Sequence, residues 1–211
     1  MLDNGDRESF TCFGLYNLQP DTVDELRAMS RVLAFMRLAE AAIAFVAMAL
    51  YASVLDMARD MQDALVDGST AYFLINESIS TLWFCVVLCL LVSIFSTFTV
   101  VHFYFAANAG APLGNFRIGV IKFNWVFDFI FVFCLIAAFA ASLASVIQSE
   151  SFSILVGRTD TKVVSSVNAA LSLVFVLFII TLAALPMTYT MWKDQRLLYT
   201  AGGGPVSSAH L

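Results

Sequence analysis

The chain has 211 residues, of which 60% are hydrophobic and only 13% charged, and its net charge is −5. Soluble domains typically contain about 25% charged residues, so this composition excludes a soluble globular protein and requires a largely lipid environment. The sequence contains no basic patch interleaved with aromatic residues, and we therefore expect no nucleic-acid partner.

The first part of the chain is polar and precedes the apolar stretches. It lacks the basic-then-apolar order of a cleavable signal peptide, so we expect the first membrane helix to act as an uncleaved signal anchor. Residues 1–21 predict an irregular cytosolic tail. Thr22 and Glu25 have the spacing of a capping box, and apolar residues follow at helical intervals. This pattern predicts an amphipathic helix over 22–36 that lies on the membrane or continues into the first span.

Four apolar stretches are each long enough to cross a bilayer, which takes about 20 helical residues. The predicted spans cover residues 37–55, 79–105, 118–148 and 163–192. They define a membrane domain over 37–192, and the polar segment 193–211 predicts a disordered cytosolic tail. The predicted fold is an all-α membrane protein, a four-transmembrane-helix bundle.

The distribution of lysine and arginine near the span ends predicts the orientation, because these residues are enriched on the cytosolic side. One side would carry Arg27, Arg31, Arg37, Arg117, Lys122, Lys193 and Arg196. The other side would carry Arg59, Arg158 and Lys162. We therefore expect both termini to be cytosolic.

A row of aspartates follows the first span. Asp56, Asp60, Asp63 and Asp67 recur every three or four residues, which places them on one face of a continuing helix. This outer acidic face could bind a cation or a partner. It could also be the solvated side of a helix that leaves the membrane, which is the interpretation we favour.

The sequence offers little chemistry for catalysis. Cys12, Cys85, Cys89 and Cys134 do not fall in a predicted outer loop, which argues against an extracellular disulfide framework, and we expect the thiols within spans to be packing residues. His102 lies near the cytosolic end of span two, without an accompanying nucleophile or metal-ligand motif. We therefore expect no catalytic residue, no metal, no cofactor and no enzymatic activity.

Asp128 is the main anomaly, because it lies about 15 Å into span three, near the membrane midplane. A charge there costs about 2.5–3.5 kcal/mol, so it needs a partner or a hydrated cavity. One interpretation is a polar clamp between Arg37 and Asp128, direct or through Asn124. Lys122 and Glu40 lie nearer the cytosolic surface as supporting polar groups, and Glu40 is expected to pair with Lys122 or Arg37. The alternative is an ion or proton pathway, which we favour less because spans two and four supply few polar groups.

The segments RLAEAAIAFVAMALYAS at 37–53 and FDFIFVFCLIAAFAAS at 127–142 resemble those of the MARVEL-domain tetraspans. This class includes the Casparian-strip membrane-domain-like proteins and the synaptophysin and synaptogyrin group, whose cysteine-bearing lumenal loops are missing here. The resemblance implies an Arg37–Asp128 relation between spans one and three. It also implies lateral assembly rather than catalysis.

Three hypotheses follow for the function. The first is a tetraspan that self-associates or scaffolds a membrane domain or vesicle membrane. The second is a channel or transporter subunit with Asp128 in an ion pathway, and the third is an accessory subunit of a larger membrane complex. The expected partners are the lipid bilayer and either further copies of the chain or another membrane protein, in a plasma or vesicle membrane.

Overall fold

The computed structural model describes residues 11–12, 16–17, 23–63, 70–108, 115–156 and 161–193. The helices are α1 Val23–Asp63, α2 Thr70–Asn108, α3 Asn115–Val156 and α4 Thr161–Lys193. Two short strands precede them, β1 Thr11–Cys12 and β2 Tyr16–Asn17, which pair antiparallel. This strand pair lies in the segment for which the sequence predicted an irregular tail.

Each helix contains a segment long and apolar enough to cross a membrane, which confirms the expectation of four spans. These segments are Ala28–Asp60, Ile75–Tyr104, Val120–Ala144 and Ser165–Trp192. The described chain therefore has the character of an integral, multi-pass membrane protein. In the structure α1 runs without a break through the predicted lead-in and the first predicted span.

The buried positions of each helix recur at alternating intervals of three and four residues. In α1 they include Leu33, Arg37, Glu40, Ala44, Ala47, Tyr51 and Val54. In α4 they include Val167, Ala170, Val174, Leu177, Thr181, Ala184, Thr188 and Met191. A mean spacing of 3.5 residues is that of knobs-into-holes packing, which is common among membrane helices.

The described helices form two compact units, each built from a segment of all four. The first unit comprises the described residues within 1–36, 99–129 and 182–211, and the second comprises those within 37–98 and 130–181. The core of the first unit contains Met29, Leu33, Phe103, Ile121, Ala184 and Met191. It thus joins the starts of α1 and α3 to the ends of α2 and α4, so successive helices run in opposite directions.

The second unit is held by contacts along each successive pair of its helices. Ser93 Oγ on α2 donates a hydrogen bond to the backbone oxygen of Ala41 on α1, at 3.2 Å. The rings of Phe95 and Phe131 meet edge to face between α2 and α3, with centroids 5.4 Å apart. Phe139 on α3 contacts Phe175 on α4 at 5.6 Å. These contacts set the helix faces from which the buried polar side chains project.

Candidate functional site

Arg37 and Glu40 form a buried ion pair at the beginning of the second unit. Arg37 Nη1 donates to Glu40 Oε2 at 2.7 Å, and both side chains are about 1% exposed. Ser96 Oγ on α2 donates to the same carboxylate oxygen at 3.0 Å. The guanidinium carbon of Arg37 also lies 5.9 Å from the ring centre of Phe95. The two charges of α1 therefore compensate each other and are linked to α2.

Each charge of this pair lowers the free-energy cost of burying the other. Removing one partner of a buried ion pair typically destabilises a protein by about 3–5 kcal/mol, because the other charge remains buried. Glu40 was predicted to pair with Arg37 or Lys122, and the structure records Arg37 as its partner. Lys122 is exposed on α3.

Asp128 is completely buried in the first unit, where it meets α4. Its Oδ2 lies 3.2 Å from Thr188 Oγ1. The same hydroxyl lies 3.2 Å from the backbone oxygen of Ala184 and 3.0 Å from that of Leu185. A hydroxyl carries a single hydrogen, so Thr188 divides its donation between the carboxylate and its own helix. This contact links α3 to α4.

Asn124 lies one turn before Asp128 and on the same face of α3, and it too is completely buried. Neither Nδ2 nor Oδ1 of its amide has a hydrogen-bond partner within the described part of the chain. A buried amide without a partner costs about 1–3 kcal/mol. Asn124 is therefore a polar core residue, and no hydrogen bond to a described residue offsets the free-energy cost of burying its amide.

Arg37 and Asp128 were predicted to form a clamp. The structure shows Glu40 as a partner of Arg37 and Thr188 as a partner of Asp128. Arg37 belongs to the second unit and Asp128 to the first, and the clamp itself stays a prediction. The predicted supporting residue His102 is partly exposed and contacts the ring of Phe103 at 5.6 Å.

A second buried polar cluster was not predicted. Tyr51 on α1 and Ser142 on α3 share a hydrogen bond between their hydroxyls at 2.7 Å. Cys85 Sγ on α2 lies 3.5 Å from Ser142 Oγ and 4.0 Å from the backbone oxygen of Ala138. Three helices of the second unit thus meet at one serine hydroxyl. Tyr51 could have indicated this cluster from the sequence, because a buried tyrosine hydroxyl usually has a hydrogen-bond partner.

The acidic face is only partly described. Asp56, Asp60 and Asp63 are exposed on the last turns of α1, whereas Asp67 lies outside the described residues. The guanidinium of the neighbouring Arg59 lies over the ring of Trp83, at 5.2 Å from its centre. The described residues include no group of three His, Cys, Asp or Glu side chains that could hold a metal ion.

No protein-family model matches the chain, and neither curated proteins nor solved structures include one with detectable similarity to it. The resemblance to the MARVEL-domain tetraspans therefore depends on the sequence segments alone. The function is argued below from the contacts of the buried polar groups and from the exposed faces of the helices.

Proposed function

We propose that the chain is a non-enzymatic four-span membrane protein that self-associates and thereby organises a membrane domain or vesicle membrane. The observation that carries this proposal is the use of buried polar groups in the second unit. Arg37 and Ser96 both donate to the carboxylate of Glu40, and the hydroxyls of Tyr51 and Ser142 share a hydrogen bond. Polar groups engaged in this way stabilise helix packing, which is the role expected in a structural protein.

Exposed small side chains supply surfaces for association. On α1 they are Ala39, Ala42, Ala49 and Ser53. On α3 they are Ala137, Ala140 and Ala144. Small side chains let a second helix approach closely, and close packing is a main source of association energy in lipid. These two faces support contact with another copy of the chain.

The orientation and the location belong to the same proposal. Both termini lie in the cytosol, as the excess of lysine and arginine near those span ends indicates. A plasma or vesicle membrane fits the resemblance to the MARVEL-domain tetraspans, which also supports lateral assembly.

Self-association is tested by counting subunits in liposomes with single-molecule photobleaching across a range of protein-to-lipid ratios. The proposal predicts oligomers for the wild-type chain and a shift toward monomers for Ala42→Leu and Ala140→Leu, which add bulk to the two faces. Ala183→Leu is the matched control, because Ala183 is an exposed alanine on α4. A chain that stays monomeric at every ratio contradicts the proposal.

One observation favours the channel or transporter alternative. Asn124 is a buried amide without a described hydrogen-bond partner, and it lies one turn from Asp128. Such a pair suits a hydrated interior better than a dry one. This alternative predicts that Asp128→Asn alters ion flux into liposomes while the protein folds and assembles normally.

The accessory-subunit alternative uses the same exposed alanines of α3, which would then contact a helix of a different protein. It predicts that the purified chain stays monomeric and gains order only with that partner. A native-detergent mass measurement separates this outcome from self-association.

A further inference from the structure

An aromatic cluster joins α3 to α4 in the first unit. The rings of Trp125 and Trp192 are stacked, with centroids 5.4 Å apart and planes inclined by 15°. Tyr189 contacts both, at 5.7 Å from Trp125 and 5.8 Å from Trp192. Phe129 stacks on Trp125 at 6.2 Å. The four rings form a continuous surface at one end of two membrane spans.

The position of the cluster matches the headgroup region of a bilayer. Trp192 is the last residue of the predicted fourth span and is followed by Lys193. Because the ring of Trp125 stacks on that of Trp192, both indoles lie at this end of α4, and tryptophan is enriched at the boundary between hydrocarbon and headgroups.

The polar atoms of the cluster are the indole N–H groups of Trp125 and Trp192 and the phenol O–H group of Tyr189. Trp125, Tyr189 and Trp192 are all partly exposed. Tryptophan and tyrosine at such depths commonly place these groups toward the wet side of the interface. The cluster therefore presents two indole donors and one phenol hydroxyl to a ligand.

A positive charge lies beside these donors. Lys122 is exposed on α3, three residues before Trp125, and residues at this spacing are neighbours on a helix surface. The sequence also contains Arg117, Lys193 and Arg196 within a few residues of the two span ends. An ammonium group beside several N–H and O–H donors is complementary to an anionic group rich in acceptor oxygens.

The ring geometry argues against a choline headgroup as the preferred ligand. Quaternary ammonium groups bind to open ring faces, where the electron density is high. Phe129 and Trp192 are stacked against Trp125, which leaves less open ring face for such a ligand. The ring edges, which carry the N–H groups and partial positive charge, remain for an anion.

We propose that Lys122, Trp125, Tyr189 and Trp192 bind the headgroup phosphate of an anionic phospholipid at this end of the membrane spans. The site is independent of the proposed self-association, because it uses none of the alanines on the exposed faces. It assigns the chain a preference for membranes, or parts of a membrane, that contain anionic lipid.

The test uses the full chain in vesicles of phosphatidylcholine, carrying Trp83→Phe so that Trp125 and Trp192 report the site. Quenching of their fluorescence is compared for nitroxide-labelled phosphatidylserine and nitroxide-labelled phosphatidylcholine at equal mole fraction. We expect the anionic lipid to quench preferentially. Lys122→Gln should lower that preference roughly fivefold, since one basic side chain near an anionic surface contributes about 1 kcal/mol.

Arg31→Gln is the matched control, because it removes an exposed charge of the first unit from α1, which carries none of the four rings, and it should leave the preference unchanged. Trp192→Phe keeps the ring and removes one donor, so it should weaken the preference reported by Trp125. Equal quenching by the two lipids overturns the proposal. Equal effects of Lys122→Gln and Arg31→Gln also overturn it, as does displacement of the lipid by soluble inorganic phosphate.

Discussion

The hydroxyl groups of Tyr51 and Ser142 share a hydrogen bond of 2.7 Å that links α1 to α3 in the second unit. Both side chains are buried, and Cys85 brings α2 to the same serine hydroxyl. Buried polar groups of this kind specify which helix faces meet, since apolar side chains pack against lipid and against one another with similar ease. The cluster thus helps to fix how α1, α2 and α3 pack against one another in the second unit.

We expect Tyr51→Phe and Ser142→Ala to destabilise the protein by related amounts, because each removes the same hydrogen bond. A double-mutant cycle measured by unfolding in detergent should give a coupling of about 0.6 kcal/mol, with about 1.7 kcal/mol as an upper value. Ser172→Ala is the control, since its exposed hydroxyl bonds only to its own helix at Asn168. Zero coupling between Tyr51 and Ser142 would show that their hydrogen bond does not stabilise the fold.

The helical framework could be predicted from the sequence because long apolar runs are a strong signal. Residues 22–36 were predicted as an amphipathic helix that lies on the membrane or continues into the first span, and α1 is continuous from Val23 through that span. In the structure Ser30 faces the core and Arg31 is exposed, which is compatible with one continuous helix.

The polar clusters could be predicted only in part. Arg37, Glu40 and Asp128 stand out in an apolar sequence as charges that need partners. The same is not true of Ser96, Ser142 and Thr188. Serine and threonine can form a hydrogen bond to their own helix, so placing them in a membrane span costs little free energy. The buried positions of each helix could not be predicted from the sequence either. Lipid-facing positions are as apolar as core positions, so no polar face marks the side of the helix that is exposed.

We expect Glu40→Gln to destabilise the protein by about 3 kcal/mol, because it removes the buried negative charge that accepts hydrogen bonds from both Arg37 and Ser96. Glu77→Gln is the matched control, as Glu77 is exposed on α2 and should change stability by less than about 0.5 kcal/mol. The measurement is the free energy of unfolding in detergent. Equal effects of the two variants would show that the Arg37–Glu40 pair contributes little.

The clamp between Arg37 and Asp128 is open to a separate test. A double-mutant cycle with Arg37→Gln and Asp128→Asn should give a coupling energy above about 0.5 kcal/mol if the two side chains interact. Distant and independent sites add within about 0.3–0.5 kcal/mol. Additive effects in this cycle would contradict the predicted clamp.

Asn124→Leu distinguishes a dry core from a hydrated one. The amide of Asn124 has no hydrogen-bond partner among the described residues, so an apolar side chain of similar size should leave stability unchanged or raise it. Asn168→Leu, at an exposed position on α4, controls for the added hydrophobicity. A loss of more than about 1 kcal/mol for Asn124→Leu would indicate a bound water or ion and would favour the pathway alternative.

Asp128→Asn separates a structural carboxylate from one that serves ion movement. The carboxylate is completely buried and meets Thr188, and neutralising it keeps the size of the side chain. The variant should be compared with wild type in liposomes, with unfolding, subunit number and ion flux measured on the same preparations. A structural role predicts reduced stability or fewer subunits per assembly, with no flux in either protein. A variant that folds and assembles normally while its ion flux differs from that of the wild type would contradict the proposed function.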